Sequence, residues 1–209
     1  MSKRNDEKVW NKIYQQGSMN YVFKEDISHI LEKFKDNNIK RILDLGCGPG
    51  RYIEVLSKAG FDAHGIDLSE EAIRIANNML KSKNLNAKLT VGSMHKKLPY
   101  NDNFFDGAIS IRSFYHGALS EIRCGISELE RILKFGGLIY ITLRRKVSKV
   151  RRLPHKYIAP RTYVPLKGNE KDVIHYFFNK KLIKREFRNF KLIQLKKTKD
   201  YYYLLGELL

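Results

Sequence analysis

Residues 42–52 read ILDLGCGPGRY: a β-type apolar run, one acid, then glycines at 46, 48 and 50. Three residues without a Cβ in five positions let the chain turn sharply and let a ligand reach its backbone. A loop of this kind, between a strand and the helix after it, sits at the carboxyl edge of a parallel sheet, where such folds bind ligands.

Working outward from the loop, strand and helix patterns alternate. RILDLG (41–46) leads into RYIEVLSKAG, which has Tyr52, Val55, Leu56 and Ala59 on one helical face. AHGIDLS (63–69) reads as a second strand, after which Ser69 can cap EEAIRIANNMLKSK. AKLTVGS (87–93) and FFDGAISI (104–111) are the third and fourth strands. SEIRCGISELERILK is a helix that the Gly136–Gly137 pair is expected to stop, and LIYITL (138–143) is a fifth, wholly apolar strand. The alternation predicts a parallel sheet with helices on both faces. Before it, KVWNKIYQQ and KEDISHILEKFKD read as helices. After it come a basic, irregular segment (144–178), a helix in NKKLIKREFRN, and two β-like runs, FKLIQLKK and YYYLLGEL. No repeat or interdomain linker interrupts the 209 residues, so one domain is expected. Its parts would be N-terminal helices (1–38), a ligand-binding core (39–143), a basic insertion (144–178), and a C-terminal helix with a β-hairpin (179–209).

The glycine spacing narrows the ligand. A dinucleotide loop reads GxGxxG, which would put its third glycine at position 51; this chain has Arg51 there and follows DxGxGxG instead. No GxxxxGK[ST] phosphate loop is present either. About twenty residues on, Asp67 ends the second strand, where an acid can accept hydrogen bonds from ribose hydroxyls. The pattern points to a ligand with a ribose and no pyrophosphate.

DLGCGPGRY, GIDLS, LPYNDNFFDGAIS and ELERILKFGGLIYITL, in this order, resemble the class I S-adenosylmethionine-dependent methyltransferases of the UbiE/type 11 kind over roughly residues 40–143. The resemblance implies a Rossmann-like, doubly wound α/β fold. Its seven-stranded sheet would be mostly parallel with an antiparallel C-terminal strand, covered by helices on both faces and an N-terminal helical lid. By position, it implies that Asp44 supports the loop and the methionine amino group. The backbone from Gly46 through Cys47 and Gly48 to Gly50 would face the methionine and ribose. Asp67 would hold the ribose diol, with Leu68 beside the adenine; Ser93 and Met94 would flank that ring. Ile111 and Arg112 would line the sulfonium end. Trp10 and Tyr14, in VWNKIY, resemble the lid helix of many small-molecule methyltransferases, and their i, i+4 spacing is also that of simple apolar docking. Phe135 stands where the family usually has proline, and Ser93 where many relatives have an acid.

Methyl transfer from a sulfonium is an in-line displacement in which orientation supplies most of the rate, so a dedicated base is optional. Tyr115 and His116, in RSFYHG after the fourth strand, are candidate bases near the methyl group. His175, in DVIHYFF, is a third. There is no Asn/Asp-Pro-Pro-aromatic tetrapeptide of amino-directed nucleobase methylation, no paired cysteines for attack on a pyrimidine carbon, and no metal-ligand spacing.

The charge is uneven. Of the net +18, residues 143–209 carry +14, from 19 Lys/Arg against 5 Asp/Glu. The stretch from Arg144 to Lys167 has nine basic residues and no acid. Arg144, Arg145, Arg151, Arg152, Tyr157 and Arg161 fall in it, and basic residues interleaved with aromatics suit a phosphate backbone and unpaired bases. The core also resembles a methyltransferase acting on carboxymethyluridine in tRNA. An anionic small molecule and an RNA both stay open as acceptor. A non-catalytic S-adenosylmethionine- or RNA-binding module is the alternative, and it would predict a damaged loop where this one is intact. With two isolated cysteines, no signal-type apolar start and no run long enough to span a membrane, a cytoplasmic protein is expected.

Overall fold

A computed structural model describes residues 6–17, 25–146 and 154–209. Helices α1 (Asp6–Gln15) and α2 (Ser28–Asp36) precede β1 (Arg41–Leu45). Then follow α3 (Arg51–Lys58), β2 (Asp62–Asp67), α4 (Glu70–Ser82), β3 (Lys88–Val91), β4 (Phe105–Ser110), α5 (Leu119–Ile132) and β5 (Leu133–Arg144). The remainder is β6 (His155–Ala159), β7 (Thr162–Pro165), β8 (His175–Tyr176), α6 (Lys180–Glu186), β9 (Phe190–Lys197) and β10 (Tyr201–Leu208).

Seven strands form one sheet in the order β3-β2-β1-β4-β5-β10-β9. The five inner and edge strands β1 to β5 run parallel, and β10 is antiparallel to both β5 and β9. Alternate side chains feed opposite faces. Leu43, Leu45, Ala108, Ile139 and Ile141 pack with α5 and α6 through Ile122, Leu129 and Ile183. Ile42, Ile109, Leu138 and Tyr140 pack with α2 and α3 through Ile30, Phe34 and Leu56. Burial on both faces is why these strands read as continuous apolar runs. Local signals fix the helix starts: Ser69 accepts the Ala72 amide at 3.1 Å, and Asn179 accepts that of Leu182 at 2.8 Å.

Two expectations need correction. The Gly136–Gly137 pair does not end α5, which stops at Ile132 with Leu133 already extended. Residues between Leu133 and Leu138 bulge out of the β4–β5 ladder, and Gly136 takes the left-handed φ of +75° that this bulge requires. Among its described residues the segment 144–178 is not irregular either: β6, β7 and β8 make a second, antiparallel sheet. Its first turn passes through Pro160 and Arg161, the latter at φ +62°, rather than through a glycine turn, so the hairpin carries no strong sequence signal. Bridges His116–His175 and Arg145–Phe178 tie this sheet to the loop after β4 and the end of β5.

Candidate functional site

The strand order reverses between β1 and β4, and the loops leaving their carboxyl ends flank the crevice this creates. A cavity of about 560 Å³ lies there, within the 300–1,000 Å³ usual for small-ligand sites. Gly46 to Pro49 line it after β1, Asp67 and Leu68 after β2, and Gly92 to Lys96 after β3. Ile111, Arg112, Ser113 and His116 line it after β4, and Trp10 and Tyr14 reach it from α1.

The glycine loop is fixed by its neighbours. The amides of Gly46 and Cys47 both donate to the Ile66 carbonyl, at 2.8 and 3.1 Å. Gly46 has φ +73°, and a Cβ there would lie 2.5 Å from that of Ser113; at Gly48 (φ +53°) one would lie 2.9 Å from the Tyr14 hydroxyl. Neither position accepts a side chain. Asp67 accepts the Gly48 amide at 2.8 Å on one oxygen and the Ser69 amide at 2.9 Å on the other. It therefore welds the loop to the start of α4, and each oxygen keeps a lone pair for a ligand hydroxyl. Burial pushes its pKa up to about 6, against the pull of these amides.

Asp44, next to last in β1, lies on the α2/α3 side of the sheet, 1% exposed, with its Oδ2 buried and without a hydrogen-bond partner. Burial first, and the charge of Asp67 second, raise its pKa to about 8. A buried carboxyl in this condition calls for a cation or a strong donor. S-adenosylmethionine carries an ammonium and a ribose diol, and Asp44, Asp67 and the open glycine backbone fit both.

The lid is docked by polar contacts as well as apolar ones. Asn11 Oδ1 accepts from the Ser69 hydroxyl at 2.6 Å and from the Glu71 amide at 3.2 Å, which pins α1 to the N-terminus of α4. Trp10 and Tyr14 stack with ring centres 6.2 Å apart, and Trp10 lies 5.1 Å from the His116 ring. Burial and the nearby Asp67 push the Tyr14 hydroxyl well up, so it stays a neutral donor.

Of the three candidate bases, His116 alone lines the cavity. Burial, then the neighbouring His175, depress its pKa to about 3, which keeps the ring neutral. Tyr115 is fully buried behind it, against Tyr201 and His175. His175 is also fully buried; its Nε2 lies 3.0 Å from Glu170 Oε2, and its ring stacks on Tyr163.

The cofactor-side expectations converge on the cavity, except that Gly50 and Asp44 stand outside its wall. Ser93 accepts the His95 amide at 3.2 Å. Arg112 Nε is held by Glu25 at 2.7 Å, with its guanidinium 5.4 Å from the centre of the Tyr201 ring. The substrate-side residues scatter. Arg144 is mostly enclosed and donates to the Tyr201 hydroxyl at 3.0 Å. Arg145 donates to the Thr198 carbonyl at 2.6 Å. Tyr157 is exposed on β6, and Arg161 sits at the β6–β7 turn, 3.4 Å from the Phe177 carbonyl. Arg151 and Arg152 lie outside the described residues. Ser113, Glu25 and Glu170 belong to this region and had no motif to mark them. Glu170 joins one histidine 54 residues before it to another five residues after it, and no ligand spacing shows that.

These features define a Rossmann-like domain with a nucleoside-type cavity at its topological switch point. Residues 42–137 match the family model described as "Methyltransferase domain". Over 58% of this chain and 51% of the relative, it is 31% identical to a demethylmenaquinone methyltransferase of Tropheryma whipplei. Over 56% of this chain and 26% of the relative, it is 32% identical to the tRNA (carboxymethyluridine(34)-5-O)-methyltransferase of Arabidopsis thaliana. The structure of an S-adenosylmethionine-dependent methyltransferase from Clostridium acetobutylicum superposes with a TM-score of 0.73 over 98% of this chain and 99% of that one, at 17% identity. The chain spans about half the length of the first curated relatives it matches. Residues 42–137 are thus similar to a methyltransferase domain, and S-adenosylmethionine is the cofactor the cavity fits. Among the described residues no helix is long and apolar enough to cross a membrane.

Proposed function

We propose that this chain methylates an RNA, drawing the methyl group from S-adenosylmethionine. The observation that carries the transfer is that one cavity joins the glycine loop and Asp67 on its cofactor side to Trp10 and His116 on the other. S-adenosylmethionine supplies a methyl group already activated by its sulfonium. The chain's part is to hold the acceptor in line and keep water out. Asp67 and the glycine loop, bare of side chains, set the nucleoside's position, Asp44 supports the ammonium from behind the loop, and Trp10 and Tyr14 close the opening. Of the candidate bases, His116 is the one placed to take a proton from an acceptor, where the acceptor carries one.

RNA is favoured over a small molecule by the net +14 of residues 143–209 and by the second sheet, which brings Lys156, Tyr157 and Arg161 to the surface beyond the His116 loop. The similarity to the Arabidopsis tRNA methyltransferase supports the same acceptor class. A small-molecule acceptor is the second reading, favoured by the lid helix and by the demethylmenaquinone relative. Both described cysteines are free, which suits action in the reducing cytoplasm. The test is incubation with methyl-labelled S-adenosylmethionine and fractionated cell extract. Label that nuclease releases from the RNA fraction is the expected result; label confined to the nuclease-resistant small-molecule fraction would overturn the RNA reading.

A further inference from the structure

His116 from the loop after β4, Glu170 from the turn before β8 and His175 from β8 each offer one ligand atom, all within 4.8 Å of one another. We propose that these three side chains form a binding site for one divalent first-row transition metal ion, of the zinc, cobalt or iron(II) type, on the acceptor side of the cavity.

The backbone sets the two histidines face to face. His116 and His175 are partners in an antiparallel bridge, with the Gly117 amide on the Ile174 carbonyl at 2.9 Å on one side and the Tyr176 amide on the Tyr115 carbonyl at 2.9 Å on the other. Their rings are 4.8 Å apart. Packing then fixes each ring: His175 between Tyr115 and Tyr163, and His116 against Trp10 and Tyr115. Glu170 brings one oxygen to 3.0 Å from His175 Nε2 and the other to 3.8 Å from His116 Nε2. Yet His116 Nε2 and His175 Nδ1 are both buried without a hydrogen-bond partner, an arrangement with unused lone pairs or protons.

Two imidazoles and one carboxylate make a donor set for a borderline metal, and three protein ligands leave a coordination position open. Metal–ligand bonds of about 2.1 Å put tetrahedral ligand atoms roughly 3.4 Å apart, so a set spread over as much as 4.8 Å must close by about 1.4 Å at its widest. Glu170 can supply part of that movement, because its side chain is 30% exposed and sits in a turn, and small rotations of the two rings supply the rest. Arg144 faces the same carboxylate and is held by the Tyr201 hydroxyl at 3.0 Å. With one carboxylate against a divalent ion and this guanidinium, the site keeps positive charge. Its open position therefore suits an anionic oxygen ligand, such as a phosphate or carboxylate of the acceptor. His116 then acts as a ligand rather than as a base. Metal binding is a property of the chain alone and stands or falls apart from the methyl-transfer reading.

The test is a titration of the untagged, metal-stripped chain with Co²⁺ and, separately, Zn²⁺, read by visible absorption and calorimetry. The background is Cys124→Ser, because that exposed thiol is itself a metal ligand. One Co²⁺ per chain with ligand-field absorption is expected. Glu170→Gln and His175→Gln should each weaken binding by more than about tenfold, while their far-ultraviolet circular dichroism stays that of the parent. Absence of saturable binding, or binding that neither substitution weakens, would overturn the proposal.

Discussion

Asp44→Asn is expected to stabilise the ligand-free chain at alkaline pH while weakening its hold on the cofactor. The Asp44 carboxyl is raised from the ordinary 3.8 to about 8, mainly by burial. The folded chain therefore holds a proton that the unfolded chain loses above its ordinary pKa. Stability is fully present below about pH 4 and is lost as pH rises toward 8, at about 1.4 kcal/mol per pH unit. From pH 5 to pH 8 the wild type should lose about 4 kcal/mol that the asparagine variant keeps. At 2–4 °C per kcal/mol for a chain of this size, the difference in Tm between variant and wild type should widen by roughly 10 °C. Thermal unfolding of both proteins at half-unit pH steps measures this. The Asp67 carboxyl, raised to about 6, contributes to both proteins and largely cancels in the difference. A charged hydrogen bond is worth about 1.5–3 kcal/mol, so S-adenosylhomocysteine should bind the variant roughly ten- to a hundred-fold more weakly. Parallel Tm curves across the pH range would refute the buried, proton-holding Asp44. Unchanged affinity would refute its pairing with the ammonium.

Three other outcomes are expected, two from the geometry of the cavity and one from the basic charge of residues 143–209. Gly46→Ala places a Cβ 2.5 Å from that of Ser113 at a left-handed φ; it should cost about 1–3 kcal/mol in thermal unfolding and abolish cofactor binding. Trp10→Ala removes lid surface from the cavity but leaves the Asn11 anchor; cofactor affinity should fall roughly tenfold, for about 1.4 kcal/mol of lost apolar contact, with Tm nearly unchanged. RNA binding should drop steeply between low and moderate salt, and the double substitution Arg151→Glu with Arg152→Glu should abolish it without altering cofactor affinity.

What the sequence made legible was local. Leu43, Leu45 and Ile139 announce a doubly covered strand by apolar continuity, and Ser69 announces the start of α4 by its own side chain. The DxGxGxG spacing and Asp67 marked the cavity because their work is done within one strand-loop-helix unit. The contacts that escaped reading join distant parts of the chain. Asp67 spends its first hydrogen bonds on the loop itself, and Arg112 is taken by Glu25, 87 positions away. Glu170 lies in a stretch whose only apparent property was positive charge, and it gains meaning when the His116–His175 bridge brings β8 and the turn before it against the loop after β4. The second sheet was missed for a related reason: its hairpin turns on Arg161 with a positive φ, a geometry that arginine does not advertise.

Calorimetry of the purified chain with S-adenosylhomocysteine tests most directly that the cavity between β1 and β4 is a cofactor site. One molecule per chain, bound by the wild type and lost in Gly46→Ala, is the result expected. Absence of saturable binding to a folded wild-type chain, or equal binding by the Gly46→Ala variant, would contradict it.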